Sequence, residues 1–187
     1  IFNFDLNFNN TILVSSSIIS FYLIPVYLLH FLNNQKLKSI SKNINLKNLF
    51  PFFIISLIAI LMFVFFDYNY KIGGGFFLKL SRLIFDNNFL FFATSVIGLF
   101  MVYDLIREDK DNIFLIFILL LGFSYHMIFQ KYFEPMFLFI YLFMIKSKIK
   151  DEFLRNTKSL YIFNLYFLAY LFAALINDTY KITNYLS

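Results

Sequence analysis

The chain has 187 residues, of which 60% are hydrophobic and only 14% charged, against roughly 25% charged residues in soluble domains. A water-soluble core of this size cannot hide that much apolar surface, so an ordinary soluble domain is excluded and lipid is the natural solvent. Without cysteine there are no disulfides or thiolate metal sites, and the net charge of +5 must be placed along the chain before it can suggest a partner.

Residues 1–10 form a polar lead-in, with no basic region followed by a cleavable apolar run. A chain opening on Ile1 in this way is expected to be the C-terminal part of a larger multi-span protein, with 1–187 as one transmembrane domain. Six apolar stretches follow: Thr11–Leu32, Leu49–Phe66, Phe89–Tyr103, Ile113–Phe129, Phe133–Ile145 and Leu160–Ile176. A span needs about 20 residues. The first, second, fourth and sixth reach that length directly, and the third does so with Leu105 and Ile106. The fifth extends to Ile149 if Lys146 and Lys148 snorkel. An open strand in lipid leaves backbone groups unpaired, so all six should be helices. The expected fold is all-α, a polytopic transmembrane bundle of about six spans.

Charge placement orients these spans. Lys36, Lys38, Lys42, Lys47, Arg107, Lys110, Lys146, Lys148, Lys150, Arg155 and Lys158 fall on one side. Only Lys71, Lys79, Arg82, Lys131 and Lys181 fall on the other. The positive-inside rule puts the richer side in the cytoplasm. The basic balance is then mostly topology, and no nucleic-acid partner is expected. Three elements face outward: 67–88, the link 130–135 and the tail 177–187.

In the first of these, Gly73, Gly74 and Gly75 precede Phe76-Phe77-Leu78-Lys79-Leu80-Ser81-Arg82. Three glycines permit positive φ and close backbone approach. Apolar residues at 76, 77, 80, 83 and 84 follow helical spacing, with Lys79, Arg82 and Asp86 on the other face. The pattern predicts a short amphipathic helix lying along the interface. Its unpaired N-terminal N–H groups, with Lys79 and Arg82 nearby, would suit a phosphate. The same pattern also suits a flexible turn and a helix whose cations touch lipid headgroups.

The link Gln130-Lys131-Tyr132-Phe133-Glu134-Pro135 joins the fourth and fifth stretches. Pro135 fits the first turn of a helix, and Glu134 there is favoured by the helix dipole. A capped hairpin explains this much, but ionisable groups crowded into so short a link are costly near lipid and are often functional. Gly122, His126 and Gln130 are spaced to share one helical face. His126 and Gln130 would then meet a partner helix or a polar cavity, whether as an ordinary buried hydrogen-bonding pair or as a sugar or phosphate contact. No His, Asp or Glu cluster has metal-ligand spacing, so no metal or cofactor is expected.

Asp67, Gly73-Gly74-Gly75-Phe76-Phe77-Leu78-Lys79-Leu80-Ser81, the apolar span after it, and Gln130-Lys131-Tyr132-Phe133-Glu134-Pro135 together resemble the C-terminal half of bacterial multi-span glycosyltransferases of the GT-C superfamily. The resemblance covers roughly 50–145. It implies inverting transfer of a sugar from a polyprenyl-phosphate carrier on the outer face of the bacterial inner membrane. The family's catalytic carboxylate usually lies near the N-terminus of the full protein, so the catalytic residue is expected upstream of Ile1. For this chain the resemblance implies recognition of membrane lipid and of the polyprenyl-phosphate-linked sugar. The expected binding residues are Gly73, Gly74, Gly75, Lys79 and Arg82, with Lys131, Tyr132 and Glu134 bordering the same cavity. A transporter or flippase for a lipid-linked or anionic substrate, or a non-catalytic subunit of a membrane complex, would share the outward cations.

Overall fold

The computed structural model describes residues 7–33, 46–69, 73–122 and 128–186, with side chains at 7–32, 50–69, 73–122 and 128–175. The described residues are all-helical, with no strand among them. In chain order the helices are α1 (Phe8–Asn33), α2 (Leu46–Val64), α3 (Gly75–Phe85), α4 (Phe89–Glu108), α5 (Asn112–Leu121), α6 (Gln130–Phe139), α7 (Lys148–Arg155) and α8 (Thr157–Leu186). A π-helical turn, Ile140–Met144, extends α6. Among the described residues three helices are long and apolar enough to cross a membrane: α1, α4 and α8.

Helix α1 is the axis of the bundle. Leu13, Val14, Ile18, Ile19, Phe21, Tyr22 and Leu23 are all buried, and so are Ser15, Ser16, Ser17 and Ser20. A serine-rich helix can sit at the centre because lipid supplies little hydrophobic drive between helices, and small residues let backbones approach. Ser17 and Thr94 hydroxyls meet at 3.1 Å, and the Ser95 hydroxyl donates to the Leu13 carbonyl at 2.9 Å. Further along, the Tyr27 hydroxyl donates to the Asp104 carboxylate at 3.3 Å. The contacts advance together along both helices, so α1 and α4 run parallel. Helix α2 runs antiparallel to α4, with Phe52 against Phe100 and Phe63 against Phe92.

Pro25 lies inside α1 and has no N–H, so the Phe21 carbonyl loses its helical donor. The Tyr166 hydroxyl of α8 donates to that carbonyl at 3.1 Å. A break that lipid would penalise thus becomes a tie between helices.

Loops that share an end of the bundle are held together. At one end Asn10 donates to the Asp67 carbonyl at 2.6 Å and accepts from the Asp67 N–H at 3.1 Å. At the other end His30 meets Glu152 at 2.9 Å. There too the buried Asn112 amide donates to the carbonyls of Leu105 and Lys146, both at 2.8 Å, and accepts from the Lys146 N–H at 3.0 Å. The Lys146 ammonium, bonded to Asp111 at 3.0 Å, is held above the usual lysine range chiefly by that bond, with Asp109 adding to it. Asn112→Leu strands several buried backbone groups at the joint between α4, α5 and the chain after α6. It should cost about 3 kcal/mol, at the upper end for a lost buried partner. A lowered unfolding midpoint in detergent checks this.

The predicted stretches and the helices differ in informative places. The third stretch extends to Glu108, as the added Leu105 and Ile106 require. The fourth does not run as one helix to Phe129: α5 ends at Leu121, and Ile128 and Phe129 are not helical. The fifth starts earlier, at Gln130, which puts Pro135 inside α6 and not in its first turn. Its expected extension to Ile149 is replaced by a separate helix, α7, capped by the Ser147 hydroxyl on the Lys150 N–H. The buried Lys150 ammonium reaches back to the carbonyls of Leu142 and Ile145 at the end of the π turn.

Candidate functional site

Gly73, Gly74 and Gly75 all have positive φ (85°, 78° and 77°), and α3 begins at the third of them. That conformation is open to glycine at little steric cost, and the space around the trio is also closed. A Cβ at Gly73 would lie 2.6 Å from the Tyr68 hydroxyl, and one at Gly75 would lie 2.8 Å from Ile18. All three glycines are buried. The Gly74 N–H donates to the Ile128 carbonyl at 2.8 Å. The Phe76 N–H donates to the Gln130 side-chain oxygen, also at 2.8 Å. Two of the corner's N–H groups, those of Gly74 and Phe76, are therefore engaged inside the protein.

The helix after the glycines forms where its spacing predicted, and it packs inward through small residues. Gly75, Leu78 and Ser81 point inward, while Leu83 is 82% and Ile84 58% exposed. In lipid the apolar stripe can face out, and the small face packs on neighbouring helices. The first residue of α3 packs close to Ile18, ten residues into α1. Of its cations, Lys79 is exposed. Arg82 folds back, donating to the Tyr68 carbonyl and weakly to Asn88 at 3.4 Å.

Gln130, the first residue of α6, joins three elements. Its oxygen caps α3 at Phe76, and its NH2 donates to the Tyr22 hydroxyl of α1 at 3.1 Å. Tyr22 is 1% exposed and stacks on Phe137 and Phe167. At 1.5 Å per residue, Tyr22 lies roughly 21 Å from the start of α1 and 16 Å from its end. So the glycine turn and the tip of α6 meet near the middle of the bundle. Helix α3, about 16 Å long, climbs from that meeting point to Asn87 and Asn88, where Ser81 and Arg82 bond. Helix α6 with its π turn, roughly 22 Å long, leads to the Lys146 end.

Around the junction the Glu134 carboxylate lies close enough to the Tyr22 and Tyr170 hydroxyls to act on both electrostatically. The Tyr170 ring packs on Phe21 and Phe76. Lys131 and Tyr132 are exposed, and the Lys131 ammonium stands over the Tyr132 ring at 4.8 Å and the Phe129 ring at 5.8 Å.

Of the expected site residues, the structure brings Gly73, Gly74, Gly75 and Gln130 into one junction, with Glu134 beside it and Lys131 and Tyr132 on the same short helix. Lys79 and Arg82 lie further along α3. His126 lies outside the described residues. Gly122 and Gln130 do not share a helix as their spacing suggested, since α5 and α6 are separate. Sequence reasoning missed Tyr22 and Tyr170, which read as ordinary residues of apolar spans. Among the described residues no group of three His, Cys, Asp or Glu side chains could hold a metal. No protein-family model, curated protein or solved structure matches this chain.

Proposed function

We propose that this chain is the carrier-binding part of a multi-span bacterial inner-membrane glycosyltransferase. It takes a sugar from a polyprenyl-phosphate carrier at the outer face, on a bundle of about six spans. The observation that carries the reading is the polar row on α6. Lys131, Tyr132 and Glu134 stand exposed or half-exposed at a helix start that meets Tyr22 near the middle of α1. Charged groups at such depth are expensive in lipid and mark substrate sites. Lys131 supplies the cation for the carrier phosphate, whose negative charge grows as the sugar leaves. The GT-C resemblance of 50–145 supplies the reaction class. The buried glycines shape the junction. In the full-length protein, Lys131→Ala should lower sugar transfer at least tenfold with membrane insertion intact. Transfer at the wild-type rate would sink this assignment.

A second reading, a transporter or flippase for a lipid-linked or anionic substrate, is favoured by one observation. Helices α3 and α6 are half-length, and their starts meet inside the bundle, as discontinuous helices do around transported ligands. Movement of the lipid-linked sugar between leaflets without formation of a glycosidic bond would select it.

A further inference from the structure

We propose that the tip of α6 opens on a water-filled cleft, and that Glu134 with the Tyr22 and Tyr170 hydroxyls forms on its wall a site for the hydroxyls of a sugar ring. The identity of this ligand rests on the carrier-sugar reading above; the cleft does not.

The outward stripe of α6 changes character along its length. Toward the Lys146 end it carries Phe139 and Phe143, 58% and 76% exposed, as a lipid-facing surface should. Toward the tip it carries Lys131 and Tyr132, with Glu134 half-buried at its edge. Lys131 and Glu134 are three residues apart, so their Cβ atoms are about 5–6 Å apart on one side of the helix. Yet no ion pair joins them, and the ammonium is turned onto aromatic rings instead. Glu134 has no cationic partner among the described residues. A carboxylate and an ammonium side by side in hydrocarbon, with no ion-pair partner among the described residues, would each carry a heavy desolvation cost. Water at the α6 tip removes that cost.

The same arrangement has unused binding capacity. A carboxylate offers about four acceptor positions, and Glu134 stands one helical turn beyond Gln130, which bonds the Tyr22 hydroxyl. Tyr22 cannot readily turn away, because its ring is stacked on Phe137 and Phe167 and its oxygen already accepts from Gln130. The remaining lone pairs suit adjacent hydroxyl donors, and the Tyr170 and Phe76 rings, 5.4 Å apart, give an apolar wall for a sugar's C–H face. The carboxylate repels a phosphate, whereas Lys131 attracts one. Hydroxyls therefore go to Glu134 and the phosphate to Lys131.

This chain contains no cysteine, so a single thiol can be placed in it once any cysteines elsewhere in the full-length protein have been replaced. In the full-length protein in native membranes, Tyr132→Cys should react with a charged, membrane-impermeant thiosulfonate at least tenfold faster than Phe143→Cys. Equal rates would overturn the cleft. Binding of polyprenyl phosphate and of polyprenyl phosphoglucose is then compared by native mass spectrometry. The wild type should prefer the sugar-bearing lipid. Glu134→Ala, and the isosteric Glu134→Gln if the alanine variant folds poorly, should lose about tenfold for that lipid and keep the bare carrier unchanged. A wild type that binds both lipids equally, or a variant that keeps the preference, overturns the sugar site and leaves the carrier reading standing. Failure of the wild type to bind either lipid overturns the carrier reading and the sugar site together, while the thiol rates still decide the cleft.

Discussion

Gly98→Leu is expected to separate α1 from α4 and leave little folded protein, and even Gly98→Ala should cost about 3 kcal/mol, the upper end for overpacking. The reason is backbone against backbone. A Cβ at Gly98 would stand 1.9 Å from the Ser16 carbonyl oxygen and 2.6 Å from its carbon. No side-chain rotation relieves that, so the helices must move apart by more than an ångström. Movement would stretch the Ser17–Thr94 and Ser95–Leu13 bonds on either side. Ile97, 40% exposed on the next position, gives the control: Ile97→Ala should change stability by less than about 0.5 kcal/mol. Unfolding by sodium dodecyl sulfate titration from mixed micelles measures both. A Gly98→Ala protein as stable as the wild type would show that the α1–α4 contact is not as close as described.

The second large effect is expected at Gln130. Gln130→Leu keeps the bulk but removes the acceptor for the Phe76 N–H and the donor to the Tyr22 hydroxyl. Each buried group left without a partner costs about 1–3 kcal/mol, so the variant should lose about 2–4 kcal/mol. Tyr22→Phe removes only one end of this chain of bonds and should cost less. The double variant should lose clearly less than the sum, by about 1 kcal/mol, because both changes cut the same link. Strict additivity would show that the two side chains act independently.

Much of the fold was legible in the sequence because hydropathy and charge are read residue by residue. The three long helices, the sides on which loops group, and a helix after the glycines all follow from run length, lysine placement and spacing. Asn10 with Asp67 and Asn112 with Lys146 join loops that charge placement had already put on the same side. What escaped was depth. Nothing in Gly73-Gly74-Gly75 says that the chain turns inward to Ile18 and not along a surface, since either course satisfies three positive-φ residues. The inward face of α3 was not legible either: the apolar spacing marked Leu83 and Ile84 as lipid-facing, but it did not show that the small Gly75–Leu78–Ser81 face packs on the bundle. The site was half-legible for a related reason. Gln130, Lys131 and Glu134 stood out as polar residues in apolar surroundings, but Tyr22 and Tyr170 become partners only when three distant segments converge.

The half-length helices also constrain how the protein is made. Helices α3, α5 and α6 are each, over their described residues, shorter than a bilayer core is thick, and the tips of α3 and α6 carry backbone and amide groups that hydrocarbon cannot satisfy. Those groups find partners on one another and on Tyr22, so they can settle only after α1 is in place. Biogenesis should therefore be ordered, with the long helices inserting first and the glycine turn and α6 tip docking afterwards as a single event.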